Sequence, residues 1–229
     1  MRISIVVPAY NEEAFIGEVL DQIEALDLVD CEVIVVNDGS TDDTEAIVKE
    51  RQSDRIRLVT KPNGGKGSAL RRGFEEASGD VVVVQDADVE LRPANIPNLV
   101  APIEAGRADV VYGSRFLQPV AGMRRSSRLA NWFLTTLTNL IYRTKLTDME
   151  TAHKAISRTF LAELPLESSR YDIEVELTAK LARSGARIVE VPSTYTPRTV
   201  QEGKKIGIKD GIEAIGRILR WARWHPTER

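Results

Sequence analysis

The chain has 229 residues, 42% hydrophobic and 28% charged, an ordinary balance for a globular protein with one sizeable core. A single cysteine, Cys31, excludes an internal disulfide framework, and no run reaches the roughly 18–20 apolar residues that span a bilayer. The net charge of −3 divides unevenly: residues 1–110 carry 11 Lys/Arg against 22 Asp/Glu, residues 111–229 carry 20 against 12.

The first half alternates strand and helix. Ile3–Val7 is a β-branched run ended by Pro8, and a helical pattern follows to about Leu26. Glu32–Val36 is a second strand, stopped by Asn37-Asp38-Gly39-Ser40, and Thr41-Asp42-Asp43-Thr44 caps the next helix with acids in its first turn. Further strands are expected at Ile56–Thr60, Asp80–Gln85 and Asp109–Tyr112, with helices near Gly67–Ala77 and Ile96–Ala105. Near-continuous apolar strands separated by helices predict a parallel sheet covered on both faces. Ligands of such sheets bind beyond the carboxyl ends of the strands, which is where the polar clusters of this chain stand.

The pattern changes after Arg115. A basic stretch, Met123–Arg128, leads into an apolar helix, Leu129–Tyr142. A linker with Asp148, a helix from about Asp172 to Arg183, a β-rich run Arg187–Tyr195 and a helix near Ile208–Trp224 complete the chain. The division predicts one domain over 1–229, with nucleotide binding in 1–115 and acceptor binding in 116–229.

Gln85-Asp86-Ala87-Asp88 follows a strand of four valines. Two carboxylates at a strand end are hard oxygen ligands suited to Mg²⁺ or Mn²⁺, ions that share substrate phosphates. Asp38 is placed to accept hydrogen bonds from a ribose or a base edge, although an Asx turn accounts for Asn37–Ser40 as well. Tyr10 is placed to stack on a base. Asn63-Gly64-Gly65-Lys66-Gly67 lacks the G-x-x-x-x-G-K-[ST] spacing of a phosphate loop, and no G-x-G-x-x-G follows the first strand. Lys66, at a helix start, meets either a phosphate or a plain turn. Arg115, Arg124, Arg125 and Arg128 gather before the apolar helix, and their planar forks suit phosphate.

Together, Pro8-Ala9-Tyr10-Asn11-Glu12-Glu13, Asn37–Asp42, Gly65-Lys66-Gly67 with Ala69-Leu70, Asp86-Ala87-Asp88 and Gly113-Ser114-Arg115-Phe116 stand in the order seen in family two glycosyltransferases. The chain most resembles the dolichol-phosphate mannose synthase branch and its bacterial polyprenyl-phosphate relatives. The resemblance implies a GT-A (Rossmann-like) α/β fold with a mostly parallel sheet, an inverting mechanism and a GDP- or UDP-linked sugar donor. It implies donor contacts from Pro8, Ala9, Tyr10, Glu12, Val36, Asp38, Lys66, Asp86, Ala87 and Asp88. It also implies a metal on Asp86, Asp88 and Glu90, the last replacing a more usual amide.

By the same resemblance Arg115 and Arg128 hold an acceptor phosphate, Asp148 lies near the reaction centre, and Arg198 and Lys204 close over the donor diphosphate. Ala152-His153 departs from the glycine and aromatic usual there. The expected activity is transfer of a sugar, mannose or glucose favoured, to a polyprenyl or dolichyl phosphate. A phosphate monoester is largely dianionic at pH 7 and needs no general base, and the adjacent Glu-Asp pair usual in hydroxyl-directed members is missing. Alternatives are a soluble hydroxyl or phosphorylated small-molecule acceptor, and a noncatalytic sugar-nucleotide-binding protein. No nucleic-acid partner is expected, because the basic patch lacks interleaved aromatics. With neither a signal peptide nor C-terminal spans, the expected location is cytoplasmic, peripheral on the cytoplasmic membrane face through Leu129–Tyr142. The last helix is expected to pack its apolar face on the sheet.

Overall fold

The computed structural model describes residues 1–120, 122–197 and 208–226, with backbone alone over 208–212. In chain order the strands are β1 (Ile3–Ala9), β2 (Cys31–Asn37), β3 (Ile56–Thr60), β4 (Val81–Val84), β5 (Val110–Ser114), β6 (Lys154–Ser157) and β7 (Ile188–Pro192). The helices are α1 (Ile16–Glu24), α2 (Thr44–Glu50), α3 (Lys66–Glu76), α4 (Ile96–Glu104), α5 (Arg125–Tyr142), α6 (Arg158–Leu161), α7 (Ile173–Arg183) and α8 (Ile208–Trp221).

The strands form one sheet in the order β3-β2-β1-β4-β6-β5-β7, and only β6 runs antiparallel to its neighbours. The expected mostly parallel α/β sheet is therefore present. Two apolar layers cover it. Val81 and Val83 of β4 join Ile16, Leu20, Val48 and Leu99 on one face. Val82 and Val84 join Leu70, Leu134, Leu177 and Ile218 on the other. The alternation within four consecutive valines shows why the strand reads as continuously apolar: both of its faces are buried.

Two local expectations change. β1 passes through Pro8 to Ala9, because its pairing with β4 stops at Val6 and only β2 accompanies it further. A strand paired on one side tolerates a residue without an N–H. β6 lies inside the stretch expected to be a linker. Its first residue, Lys154, is fully buried and paired with Glu174, so a core strand opens with a residue that normally marks the surface. The last helix packs on the core as expected: Ile218 and Trp221 are buried, and the Tyr142 hydroxyl donates to the Ile218 carbonyl at 2.6 Å.

β1 lies between β2 and β4, so the chain winds outward in opposite directions on either side of it. That reversal opens a crevice beyond the carboxyl ends of β1, β2 and β4, the place where open α/β sheets bind ligands.

Candidate active site

The crevice is a cavity of about 680 Å³. Pro8, Ala9, Tyr10 and Glu12 line it from β1, Asp38 from β2, and Asp86, Ala87, Asp88 and Glu90 from β4. Lys66, Arg115 and Glu150 complete that wall, so segments far apart in sequence meet as expected. Val36 does not reach it: the side chain is fully buried in the core of β2. Arg198 and Lys204 lie outside the described residues.

Beyond β2, the Asp38 carboxylate accepts the Gly64 and Gly65 amides at 3.0 and 2.7 Å and pairs with Lys61 at 2.5 Å. It ties the loop after β3 to the end of β2 while facing the cavity. Tyr10 is 39% exposed at the rim, as a stacking ring requires.

Gly65-Lys66-Gly67 has a structural explanation that the sequence did not reveal. Gly65 has φ +89°, and a Cβ there would lie 2.5 Å from the Ser169 carbonyl oxygen. A Cβ on Gly67 would lie 2.5 Å from that of Ser168. The Ser68 amide donates to the Ser169 carbonyl at 3.1 Å. The two glycines thus dock the loop before α7 onto the start of α3. That loop carries Arg170 and Tyr171 into the cavity wall, and the first turn of α7 adds Glu174.

Lys66 pairs with Asp86 at 2.8 Å and with Glu174 at 3.2 Å. Burial opposes its charge, but the two carboxylates outweigh this and hold its pKa above the ordinary lysine value. Asp86, Asp88 and Glu90 line the cavity beyond β4, and Asp88 accepts the Glu90 amide at 3.0 Å. Among the described residues no three His, Cys, Asp or Glu side chains converge into a cluster that could hold a metal ion. This open set of hard oxygens fits Mg²⁺ or Mn²⁺, which bind through one or two carboxylates plus phosphates rather than in a protein cage.

Arg115, also in the cavity lining, is gripped by Asp148. Its Nε and one terminal nitrogen each donate to a carboxylate oxygen at 2.7 Å, and its backbone amide adds a third bond at 3.0 Å. The guanidinium also lies 5.2 Å from the Tyr195 ring centroid. Asp148 is fully buried and does not line the cavity. Its pKa is depressed: burial pushes it up, but Arg115 and the Asn131 amide at 2.6 Å pull it further down. Asp148 therefore positions Arg115 from behind. Arg128, expected beside Arg115, stands exposed on α5 with its guanidinium 5.8 Å from the Phe116 ring and does not line the cavity. His153 is fully buried, its Nδ1 is 3.1 Å from the Ser193 hydroxyl, and burial pushes its pKa down to about 4. It is a neutral packing residue, while Ala152 faces the cavity.

Glu150 also lines the cavity, with Oε1 buried and unpartnered. Burial, then the Glu174 carboxylate, push its pKa up to about 7, against the pull of Lys154 and Arg115. A raised acid pKa means the native state binds the proton more tightly, so stability declines as pH climbs from about 4.3 towards 7. Glu150→Gln is accordingly expected to raise Tm relative to the parent at pH 8 and to have no such effect at pH 4. Equal shifts at the two pH values in a thermal-melt series would refute this.

The profile of Glycosyl transferase family 2 matches residues 4–164. The dolichol-phosphate mannosyltransferase of Pyrococcus furiosus is 30% identical over 96% of this chain and 64% of its own length, so the chain spans just under two thirds of that relative. The undecaprenyl-phosphate mannosyltransferase of Micrococcus luteus is 30% identical over 98% of this chain and 96% of its own. Among solved structures, glucosyl-3-phosphoglycerate synthase from Mycobacterium tuberculosis, in complex with Mn²⁺, UDP and glucosyl-3-phosphoglycerate, superposes with a TM-score of 0.75. It is 28% identical, and the match covers 99% of this chain and 81% of that one.

Proposed function

We propose that this chain, which belongs to glycosyl transferase family 2, moves one sugar from a nucleoside diphosphate donor to the phosphate of a polyprenyl or dolichyl lipid, with inversion. Mannose or glucose on GDP or UDP is the favoured donor. The observation that carries this reading is Arg115, a cavity-lining guanidinium locked by a fully buried Asp148 in the same cavity as Asp86 and Asp88. A cation held this rigidly at the acceptor wall suits a phosphate. The names of the Pyrococcus and Micrococcus relatives support the same acceptor class.

In this mechanism Tyr10 and Asp38 hold the nucleoside, and Arg115 closes the nucleotide half at its border with the acceptor half, 116–229. Arg115 orients the acceptor phosphate so that one of its oxygens attacks the anomeric carbon in line. The bond from that carbon to the donor diphosphate breaks, and the diphosphate leaves with the electron pair. A Mg²⁺ or Mn²⁺ ion held by Asp86, Asp88 and Glu90 would supply charge neutralisation for the departing diphosphate. Lys66 adds a second cation to that end, and Arg198 and Lys204 are proposed to close over it. Arg128, at the start of α5, is proposed to meet the acceptor as it approaches.

Glu150 supports a second reading. A carboxyl with a pKa near 7 facing the cavity has the properties of a general base for a hydroxyl. The structural relative, crystallised with glucosyl-3-phosphoglycerate, makes a phosphorylated small molecule the matching acceptor. The deciding experiment screens radiolabelled GDP- and UDP-sugars with Mg²⁺ or Mn²⁺ against undecaprenyl phosphate, dolichyl phosphate and 3-phosphoglycerate. Label is expected in the lipid phosphates, with Glu150→Gln changing the rate little. Label in 3-phosphoglycerate alone, with Glu150→Gln slowing transfer by roughly 10²–10⁴, would select the second reading.

No helix among the described residues is long and apolar enough to cross a membrane. A lipid acceptor calls for contact with a membrane surface, and we propose that the protein associates peripherally with the cytoplasmic membrane face.

A further inference from the structure

A helix on a globular surface normally turns its apolar stripe inward and its polar side to water. α5 does otherwise. Its buried face includes Asn131, Thr135 and Thr138 beside Leu134 and Tyr142. The polar members have structural work there: Asn131 donates to Asp148, the Thr135 hydroxyl donates to Asn131 at 2.8 Å, and the Met149 amide donates to Thr135 at 3.1 Å. The outer face carries Leu129, Trp132, Phe133 and Leu140, exposed by 64, 62, 50 and 78%. These are four of the nine large hydrophobic side chains exposed among the described residues, all on one helix. At 3.6 residues per turn they fall within an arc of about 100°.

Charge frames the stripe. Arg124, Arg125 and Arg128 stand exposed at the amino end of α5, and Arg143 and Lys145 at its carboxyl end. Residues 110–147 contain no Asp or Glu at all. An apolar stripe holding a tryptophan, bordered by cations and free of acids, has the make-up of a helix lying in the plane of an anionic lipid surface. A second copy of the chain is a poorer occupant. Two such helices packed side by side place cations against cations whether they run parallel or antiparallel.

We propose that the outer face of α5 is a membrane-docking surface selective for anionic phospholipid, with Leu129, Trp132, Phe133 and Leu140 entering the interface. The inner face of the same helix carries Asn131, which holds Asp148 and through it Arg115. A helix about 10 Å across therefore separates the lipid surface from the residues that set the acceptor wall. The surface goes beyond the lipid-phosphate reading and stands on the exposure and charge of α5 alone.

The test is co-sedimentation with vesicles of phosphatidylcholine containing about a third phosphatidylglycerol and no polyprenyl phosphate, beside vesicles of phosphatidylcholine alone. The parent protein is expected to partition onto the anionic vesicles. The Trp132→Ser/Phe133→Ser variant is expected to lose at least about tenfold in partitioning, with nucleotide-sugar affinity unchanged because neither residue lines the cavity. Failure of the parent to bind the anionic vesicles, or equal binding by the variant, overturns the proposal. So does a concentration-dependent dimer, seen by sedimentation velocity and abolished in the variant, without vesicle binding; that result would assign the face to a second copy. Intact vesicle binding without transfer to lipid phosphates would defeat the acceptor reading and leave this surface standing.

Discussion

Sugar transfer by the Asp88→Asn variant is expected to fall at least about 100-fold. The substitution is close to isosteric, and the new amide oxygen still accepts the Glu90 amide that Asp88 accepts at 3.0 Å. The turn after β4 therefore survives while one negative charge disappears from the cavity. A neutral carbonyl is a weaker partner than a carboxylate for a hard divalent cation. Titration of the variant with Mn²⁺ in the presence of UDP or GDP, followed by electron paramagnetic resonance, should show weakened binding, and Tm should stay close to the parent's. Chelation of the parent protein should reproduce the loss of transfer, with recovery on adding Mg²⁺ or Mn²⁺. Full activity of Asp88→Asn, or of the chelated parent, would defeat the reading of Asp86, Asp88 and Glu90 as a metal end.

Asp148→Ala is expected to act on stability first. It strips the partly buried Arg115 guanidinium of its two-point partner and leaves the Asn131 amide without its acceptor. Removing one member of a buried ion pair costs about 3–5 kcal/mol. For a chain of this size that is a Tm fall on the order of 10 °C, measured by calorimetry. Asn131→Ala removes a single hydrogen bond and should cost roughly 1–3 kcal/mol.

The pH dependence has a defined sign. With its folded pKa depressed, Asp148 contributes stability that is present above the unfolded value near ~3.9 and lost as pH falls through the lower folded one. The gap between parent and Asp148→Ala should hold at neutral pH and narrow only in acid. Where the variant still folds, a loosened Arg115 should raise KM for the acceptor more than it lowers kcat, which a purely structural defect would not do. A Tm equal to the parent's at pH 7 would show that Asp148 does not hold the acceptor wall.

Much of this was legible beforehand, because it is written in local chemistry. The strand over Ile56–Thr60 was read to the residue, and the helices over Ile96–Glu104 and Ile173–Arg183 to within one or two residues. Apolar runs and helical periodicity are properties of neighbouring positions. β6 was not legible, because Lys154 opens it and a buried lysine is tolerable there through Glu174, brought by α7, and the Thr151 carbonyl. Nor was the role of Gly65 and Gly67, since the segment that presses on them is 168–170.

The candidate site divides along the same line. Tyr10, Asp38, Asp86 and Asp88 could be nominated from sequence because each follows a strand of a parallel sheet, and such sheets gather those ends. Their burial and pairing could not. Asp148 and Arg115 are 33 residues apart, and only the folded chain buries one beneath the other, with Asn131 of α5 bonded to Asp148. Glu150 is an ordinary glutamate in the sequence, and its pKa near 7 arises from burial and from Glu174 beside it. The sequence by itself determined the strands and helices other than β6 and α6, and the acids that follow the strands. Tertiary structure alone decided which charges are desolvated, which are neutralised, and which face of α5 meets solvent, because those depend on what the rest of the chain brings alongside.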